Sequence, residues 1–232
     1  MEDGEIMLFD RVIANPPFSL KEWGREEAEH DPYGRFEYGI PPKNAGDYAF
    51  IQHMVTSLKS DGMAGVVMPH GVLFRGGAEG KIRQGLLESD ILEAVVGLPS
   101  NLFYGTGIPA CILIFNRNKS EERKEKVLFI AAESEYQEGK NQNTLRDQDI
   151  VKVVTAFDNY EDIEKYARVV TLEEIKTNDY NLNITRYIDK SEEEEPVDLN
   201  AVLEDLRELE TKQINIKTKL SGYLKEIGVG EL

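Results

Sequence analysis

Phe9-Asp10-Arg11-Val12-Ile13-Ala14-Asn15-Pro16-Pro17-Phe18 decides the reading of this chain. Phe9 to Ala14 is a short apolar run, too brief for a helix and ended by prolines, so it reads as a buried strand. Proline fixes φ and donates no backbone hydrogen bond, and it pushes the preceding Asn15 toward extended backbone, so the strand must stop there. The strand therefore delivers an amide, carbonyls without a local N–H partner, and the ring of Phe18 to one spot. A carboxamide oxygen and a backbone carbonyl can each accept one hydrogen of an exocyclic amino group, while an aromatic face stacks on the ring that carries it. Asn15, Pro16, Pro17 and Phe18 are thus candidate residues for gripping a flat, amino-bearing ring. The plainer reading is a strand exit with Phe18 as core filler.

Working outward, Ser19 to Gly46 is rich in glycine, proline and charge. It is long for a passive connection, and its place beside the motif suits a substrate-side flap. Lys21, Arg25, Arg35 and Lys43 in it are either phosphate contacts or ordinary solvated charge. Asp47 is expected to cap a helix whose stripe is Phe50, Ile51, Met54, Val55 and Leu58, with Gly62 after its end. Strand and helix then alternate: strand Ala64 to Met68, helix Ala78 to Glu88, strand Ile91 to Leu98, strand Ala110 to Phe115 and strand Val127 to Ala131. This implies an α/β sheet, mostly parallel and covered on both faces. Between Ser134 and Tyr187 the pattern weakens, with Ile150, Val153, Val154 and Phe157 as one amphipathic piece.

An acidic linker at 191–198 is expected to close a domain of residues 1–190. Beyond it Leu199, Val202, Leu206, Leu209, Gln213, Ile216, Leu220, Tyr223 and Ile227 recur in steps of three and four, a heptad seam over 199–228 with Asp198 as N-cap. Such a helix either folds back on its own domain or coils against another protein. A sustained heptad after an acidic linker suits the second.

A chain of 232 residues with 41% hydrophobic content supports one sizeable core plus an appendage. No apolar run reaches the ~20 residues needed to cross a bilayer and no cleavable leader pattern opens the chain, so a cytoplasmic location without a membrane partner is expected. The single cysteine, Cys111, lies in an apolar run and reads as a buried structural thiol; three scattered histidines make a metal site unexpected. The net charge of −16 argues against unaided DNA binding, because phosphate neutralisation supplies most sequence-independent affinity.

The tetrapeptide Asn15-Pro16-Pro17-Phe18 resembles the motif of amino-group DNA methyltransferases. The wider set of blocks resembles the modification (M) subunit of type I restriction-modification systems: Phe9 to Ser19, Gly46-Asp47-Tyr48-Ala49-Phe50, Met68 to Gly77, Asn101 to Pro109, and Asp179-Tyr180-Asn181-Leu182-Asn183. The resemblance implies a Rossmann-like S-adenosylmethionine-dependent methyltransferase fold acting on the amino group of adenine. It implies that Asn15 and the Pro16 carbonyl accept the two amino hydrogens of a flipped adenine, that Phe18 stacks on one face, and that Phe103 or Tyr104 meets the other. For those two, packing under a turn is the plainer alternative. His70 could line the same cleft. The implied partners are a specificity (S) subunit, which the heptad helix would dock on, a restriction (R) subunit, and duplex DNA within that complex.

The cofactor S-adenosylmethionine usually needs a glycine-rich turn between a strand and a helix. The Gly-x-Gly at Gly105-Thr106-Gly107 is followed by Ile108-Pro109 and a strand rather than by a helix start. In the family the cofactor loop lies upstream of the Asn-Pro-Pro-Phe block. The chain is therefore expected to be the C-terminal half of a methyltransferase sheet with a heptad helix, with its main cofactor-binding residues unknown and little activity alone. Two alternatives stand beside this: a non-enzymatic assembly fragment, and protein glutamine methylation by a similar Asn-Pro-Pro-aromatic fold.

Overall fold

A computed structural model describes residues 5–190 and 199–226. The chain divides into two compact units, Met1–Lys190 and Ser191–Leu232. The first is built on a six-stranded sheet. Its strands are β1 (Phe9–Ala14), β2 (Leu58–Pro69), β3 (Leu92–Gly97), β4 (Ala110–Asn116), β5 (Lys126–Ala131) and β6 (Ala167–Thr171), in spatial order β1-β2-β4-β3-β5-β6. The helices are α1 (Arg25–Ala28), α2 (Asp47–Thr56), α3 (Gly71–Phe74), α4 (Gly77–Glu88), α5 (Asp147–Asn159) and α6 (Leu172–Thr177). The second unit contains α7 (Leu199–Glu226).

Alternation along the strands separates two cores. Cys111, Leu113 and Phe115 of β4 join Val95 of β3 and Phe129 of β5 on the face packed by α2, α4 and α6. Ala94 and Val96, with Leu128 and Ile130, face the other way, where Ala156, Val153 and Phe157 of α5 cover them. Period-two side chains on a sheet covered on both faces must read as near-continuous apolar runs, which is why β3 to β5 were visible in the sequence. Cys111 is buried, and burial pushes its thiol well up, as a structural role requires.

Four expectations are corrected. The sheet is mixed rather than mostly parallel: β1 with β2 and β3 with β5 are parallel, but β4 runs antiparallel to both its neighbours and β6 antiparallel to β5. A parallel crossover needs a dozen or more residues, usually with a helix, and β3 reaches β4 through a loop alone. β1 is a strand but not a buried one, since Ile13 is 87% exposed; it borders the sheet and no described residue covers its Ile13 face. β2 starts at Leu58, so Leu58 belongs to the strand and Gly62 lies inside it, close against the Phe9 carbonyl. Asp47 is the first residue of α2 rather than its cap, which is Gly46.

β6 and α6 fill part of the stretch where the pattern had weakened. In α5, Val153 and Phe157 pack on the core while Ile150 and Val154 stay exposed. Described side chains of α7 from Leu203 to Leu220 are exposed, the seam residues Leu206, Leu209, Ile216 and Leu220 among them. The linker at 191–198, the Asp198 cap and Ile227 lie outside the described residues. No described helix is long and apolar enough to cross a membrane, and no described group of His, Cys, Asp and Glu is arranged to hold a metal.

Candidate functional site

Strand register decides what meets at the carboxyl end of the sheet. Ala14 pairs with Val66, Pro69 with Ala110, and Gly97 with Cys111. Asn15, His70, the loop leaving Leu98 and the start of β4 therefore lie along one edge, the edge at which ligands bind in open α/β sheets. Prolines stop two of these strands, Pro16 after β1 and Pro69 at the end of β2.

An open cavity of about 700 Å³ forms there, walled by Asn15, Pro16, Pro17, Phe18 and Ser19, by Pro69 to Gly71, by Phe74 and Arg75, and by Phe103, Tyr104, Thr106 and Ile108. The structure thus gathers all six sequence-derived site residues, and His70 with them. Asn15 is exposed, and neither its carboxamide nor the Pro16 carbonyl has a hydrogen-bond partner among the described residues. The site therefore presents two free acceptors side by side on the chain, the Asn15 carboxamide also carrying donors.

The aromatic residues differ among themselves. Phe18 is half-buried against the α5-side core and meets Phe103 edge to face, with centroids 6.2 Å apart and planes at 78°. Those two rings pack on each other and do not form parallel jaws. Tyr104, by contrast, is 92% exposed and makes no such contact. Its loop is held from behind: the buried Asn143 donates to the Ser100 carbonyl at 2.9 Å, its N–H to the Asn101 carbonyl at 2.8 Å, and Gln142 donates to the Leu102 carbonyl. Phe74, on α3, is a further exposed ring in the wall that the sequence reading did not single out.

His70 sits at the head of α3 with Nε2 2.9 Å from the Ala110 carbonyl oxygen. A carbonyl only accepts, so Nε2 carries a proton and donates it to that carbonyl. α3 is itself fixed by groups far away in sequence. Tyr48 Oη donates to the Val72 carbonyl at 2.7 Å, Arg83 Nη1 to the Val72 and Arg75 carbonyls, and the Leu182 N–H to the Leu73 carbonyl at 2.8 Å. The same Arg83 holds the Tyr180 carbonyl through Nε at 2.7 Å. These contacts explain what the Asp179 to Asn183 block does: it braces the far wall of the cavity.

The Ser19–Gly46 segment folds on itself. Glu22 N–H donates to the Lys43 carbonyl at 3.1 Å, Gly46 N–H to the Leu20 carbonyl at 3.0 Å, and the Trp23 indole to the Pro42 carbonyl at 2.9 Å. Gly46 is needed here, since a Cβ would lie 2.7 Å from the Trp23 ring. Of the four basic residues in the segment, Arg25 pairs with Glu29 and Arg35 with the largely buried carboxylate of Asp31, so these two are already engaged.

The cavity lining lacks the groups that usually hold S-adenosylmethionine. Gly105-Thr106-Gly107 runs through Pro109 into β4 instead of opening a helix, and no carboxylate lines the cavity to take ribose hydroxyls.

Known proteins are similar to this chain in sequence and fold. The N-6 DNA Methylase family matches residues 2–196. The chain is 40% identical over 227 residues to the type I restriction enzyme MjaVII methylase subunit of Methanocaldococcus jannaschii, covering 94% of this chain and 39% of that protein. It is 35% identical to the HindI methylase subunit of Haemophilus influenzae, covering 94% of this chain and 50% of that one. Among solved structures, the type I restriction-modification system methyltransferase subunit from Streptococcus thermophilus superposes with a TM-score of 0.75 at 43% identity, over 82% of this chain and 40% of that one. The chain therefore spans about two fifths to half of the length of these relatives.

Proposed function

We propose that this chain, which belongs to the N-6 DNA Methylase family, supplies the base-binding part of an adenine-specific DNA methyltransferase of a type I restriction-modification system. The observation that carries the reading is the free Asn15 carboxamide and Pro16 carbonyl in one cavity with the rings of Phe18 and Tyr104. An adenine extruded from the duplex offers two amino hydrogens and two aromatic faces. Asn15 and Pro16 would take one hydrogen each and orient the nitrogen lone pair, Phe18 would support one face, and the exposed Tyr104 would close on the other. Phe103 buttresses Phe18. His70 lines the same cavity.

Orientation of this kind lowers the barrier without a base of shifted pKa, because the nitrogen can lose its proton as or after the methyl group arrives. S-adenosylmethionine would supply the methyl group in the whole enzyme, held by residues beyond the cavity described above. The open edge of β1 and the bare face around Ile13 suit further sheet of the longer relatives. The exposed seam of α7 suits a helix of the specificity subunit, and the charge of −16 suits a protein whose grip on DNA is shared with other subunits. The test is mass spectrometry of DNA and protein from cells expressing the intact locus, wild type against Asn15→Ala. N6-methyladenine should vanish in the variant. Equal N6-methyladenine in both, or an Asn15-dependent methyl group on protein glutamine, would overturn the reading.

A further inference from the structure

Asp47 is 0% exposed, yet it lies directly behind the cavity wall. Its Oδ1 accepts the Ser19 N–H at 2.7 Å and its Oδ2 accepts the Ser19 hydroxyl at 3.4 Å. Arg75, which lines the cavity, donates through Nη1 to Asp47 Oδ2 at 2.9 Å and through Nη2 to Ser19 Oγ at 3.2 Å. Ser19 is the residue after Phe18, and its φ of 49° lies in the left-handed region that a serine adopts only when its surroundings enforce it.

We propose that Asp47 and Arg75 are positioning residues for the Asn15–Phe18 segment: together they grip Ser19 by its N–H and its hydroxyl and so fix the direction in which Asn15 and Phe18 meet the base. The inference rests on the base-binding reading of the cavity. An anion site on Arg75 is the rival for the same geometry, and charge decides against it. The guanidinium already faces two carboxylates, Asp47 at 2.9 Å and the buried Glu79 at 3.5 Å, which leaves no surplus positive charge for a phosphate. Gly71 completes the device. A Cβ there would lie 2.4 Å from the Arg75 guanidinium, so a side chain at 71 and the clamped position of Arg75 exclude each other.

The experiment uses the chain itself, by NMR. One readout is hydrogen exchange at the Ser19 amide, with Val95 in the central strand β3 as reference; the other is titration with adenosine, followed on the Asn15 side-chain amide. Asp47→Ala should speed Ser19 exchange at least a hundredfold while Val95 is unchanged. Should Asp47→Ala not fold, Gly71→Ala serves instead, because the atoms it displaces are the far end of a flexible side chain. Gly71→Ala and Arg75→Ala should each weaken adenosine binding about tenfold with the same melting temperature within a few degrees, and Arg75→Lys should recover part of the loss. Wild-type affinity and wild-type Ser19 protection in these variants would overturn the proposal. If adenosine fails to move the Asn15 signals of the wild-type chain, the base-binding reading fails, and Ser19 exchange alone decides the clamp. Exchange that is faster in Asp47→Ala or Gly71→Ala then supports it, and unchanged exchange overturns it.

Discussion

Phe18 and Phe103 meet edge to face, centroids 6.2 Å apart and planes at 78°, so the ring nearest the motif is braced by the loop that also carries Tyr104. A T-shaped pair of this kind contributes about 0.5–1.5 kcal/mol beyond the area it buries. A double-mutant cycle on Phe18→Leu and Phe103→Leu, read by denaturant unfolding, should return a coupling in that range. The same cycle on Phe18 and the exposed Tyr104 should return none. Tyr104→Ala should leave stability unchanged and weaken capture of an extruded adenine by about 1–3 kcal/mol, the usual worth of one base-stacking ring. A large coupling between Phe18 and Tyr104 would contradict the division of labour between bracing and capping.

Asn15→Ala tests the acceptor role. The side chain is exposed and unpartnered, so the variant should unfold at the same denaturant concentration as the wild type. In an enzyme of the proposed kind, the proposed action of the amide on the amino group predicts that turnover is lost while cofactor affinity is retained. A loss confined to KM with kcat intact would show that Asn15 only binds the base.

Cofactor affinity of this chain follows from the same local geometry. Gly105-Thr106-Gly107 leads into β4 instead of opening a helix, so calorimetric titration with S-adenosylmethionine should give weak or undetectable binding. Low-micromolar affinity would mean that the cavity at Asn15 also holds the donor.

The motif strand and the residues it delivers were legible in the sequence because proline leaves few conformations open on either side of Asn15. β3, β4 and β5 were legible because a strand buried on both faces is apolar throughout. Asp47 was not. An acidic residue before an apolar stripe looks the same whether it caps a helix or sits buried against an arginine 28 residues away, and only the fold brings Arg75 to it. The antiparallel run of β4 was open to inference from the helix-free link at 98–109, but its insertion between β2 and β3 is set by tertiary pairing. β6 was missed because a border strand with half-buried Arg168 and Val169 lacks the continuous apolar run of the inner strands.

His53, on α2, contributes a pH dependence to the stability of the chain. It lies on the exposed side of α2; partial desolvation by its neighbours first, and then the positive charge of Arg35, lower its pKa below the ordinary 6.5, with Asp31 opposing. Below 6.5 the unfolded chain takes up a proton that the folded chain does not. Stability is therefore highest above that pH, falls as pH drops through the window down to the lowered folded value, and levels beneath it. Denaturant midpoints at pH 7.5 and 5 should differ less in His53→Gln than in the wild type. Trp23, the single tryptophan, shares a pocket with His53 and reports the transition by fluorescence. Equal pH dependence in the two proteins would remove His53 from the account.

The exposed seam of α7 predicts separable effects on stability and assembly. Leu209 is 61% and Ile216 65% exposed, and they share a seam with Leu206 and Leu220. An exposed apolar stripe of this length suits packing by another helix, and knobs-into-holes packing fails when an acid replaces a seam residue. Leu209→Asp with Ile216→Asp should leave the melting temperature of the sheet unit within about a degree. If α7 docks on a specificity subunit, as proposed, the same double variant should abolish co-purification with it. Unfolding of the sheet unit in the double variant would place the helix in its core; retained co-purification would place the docking surface elsewhere on the chain.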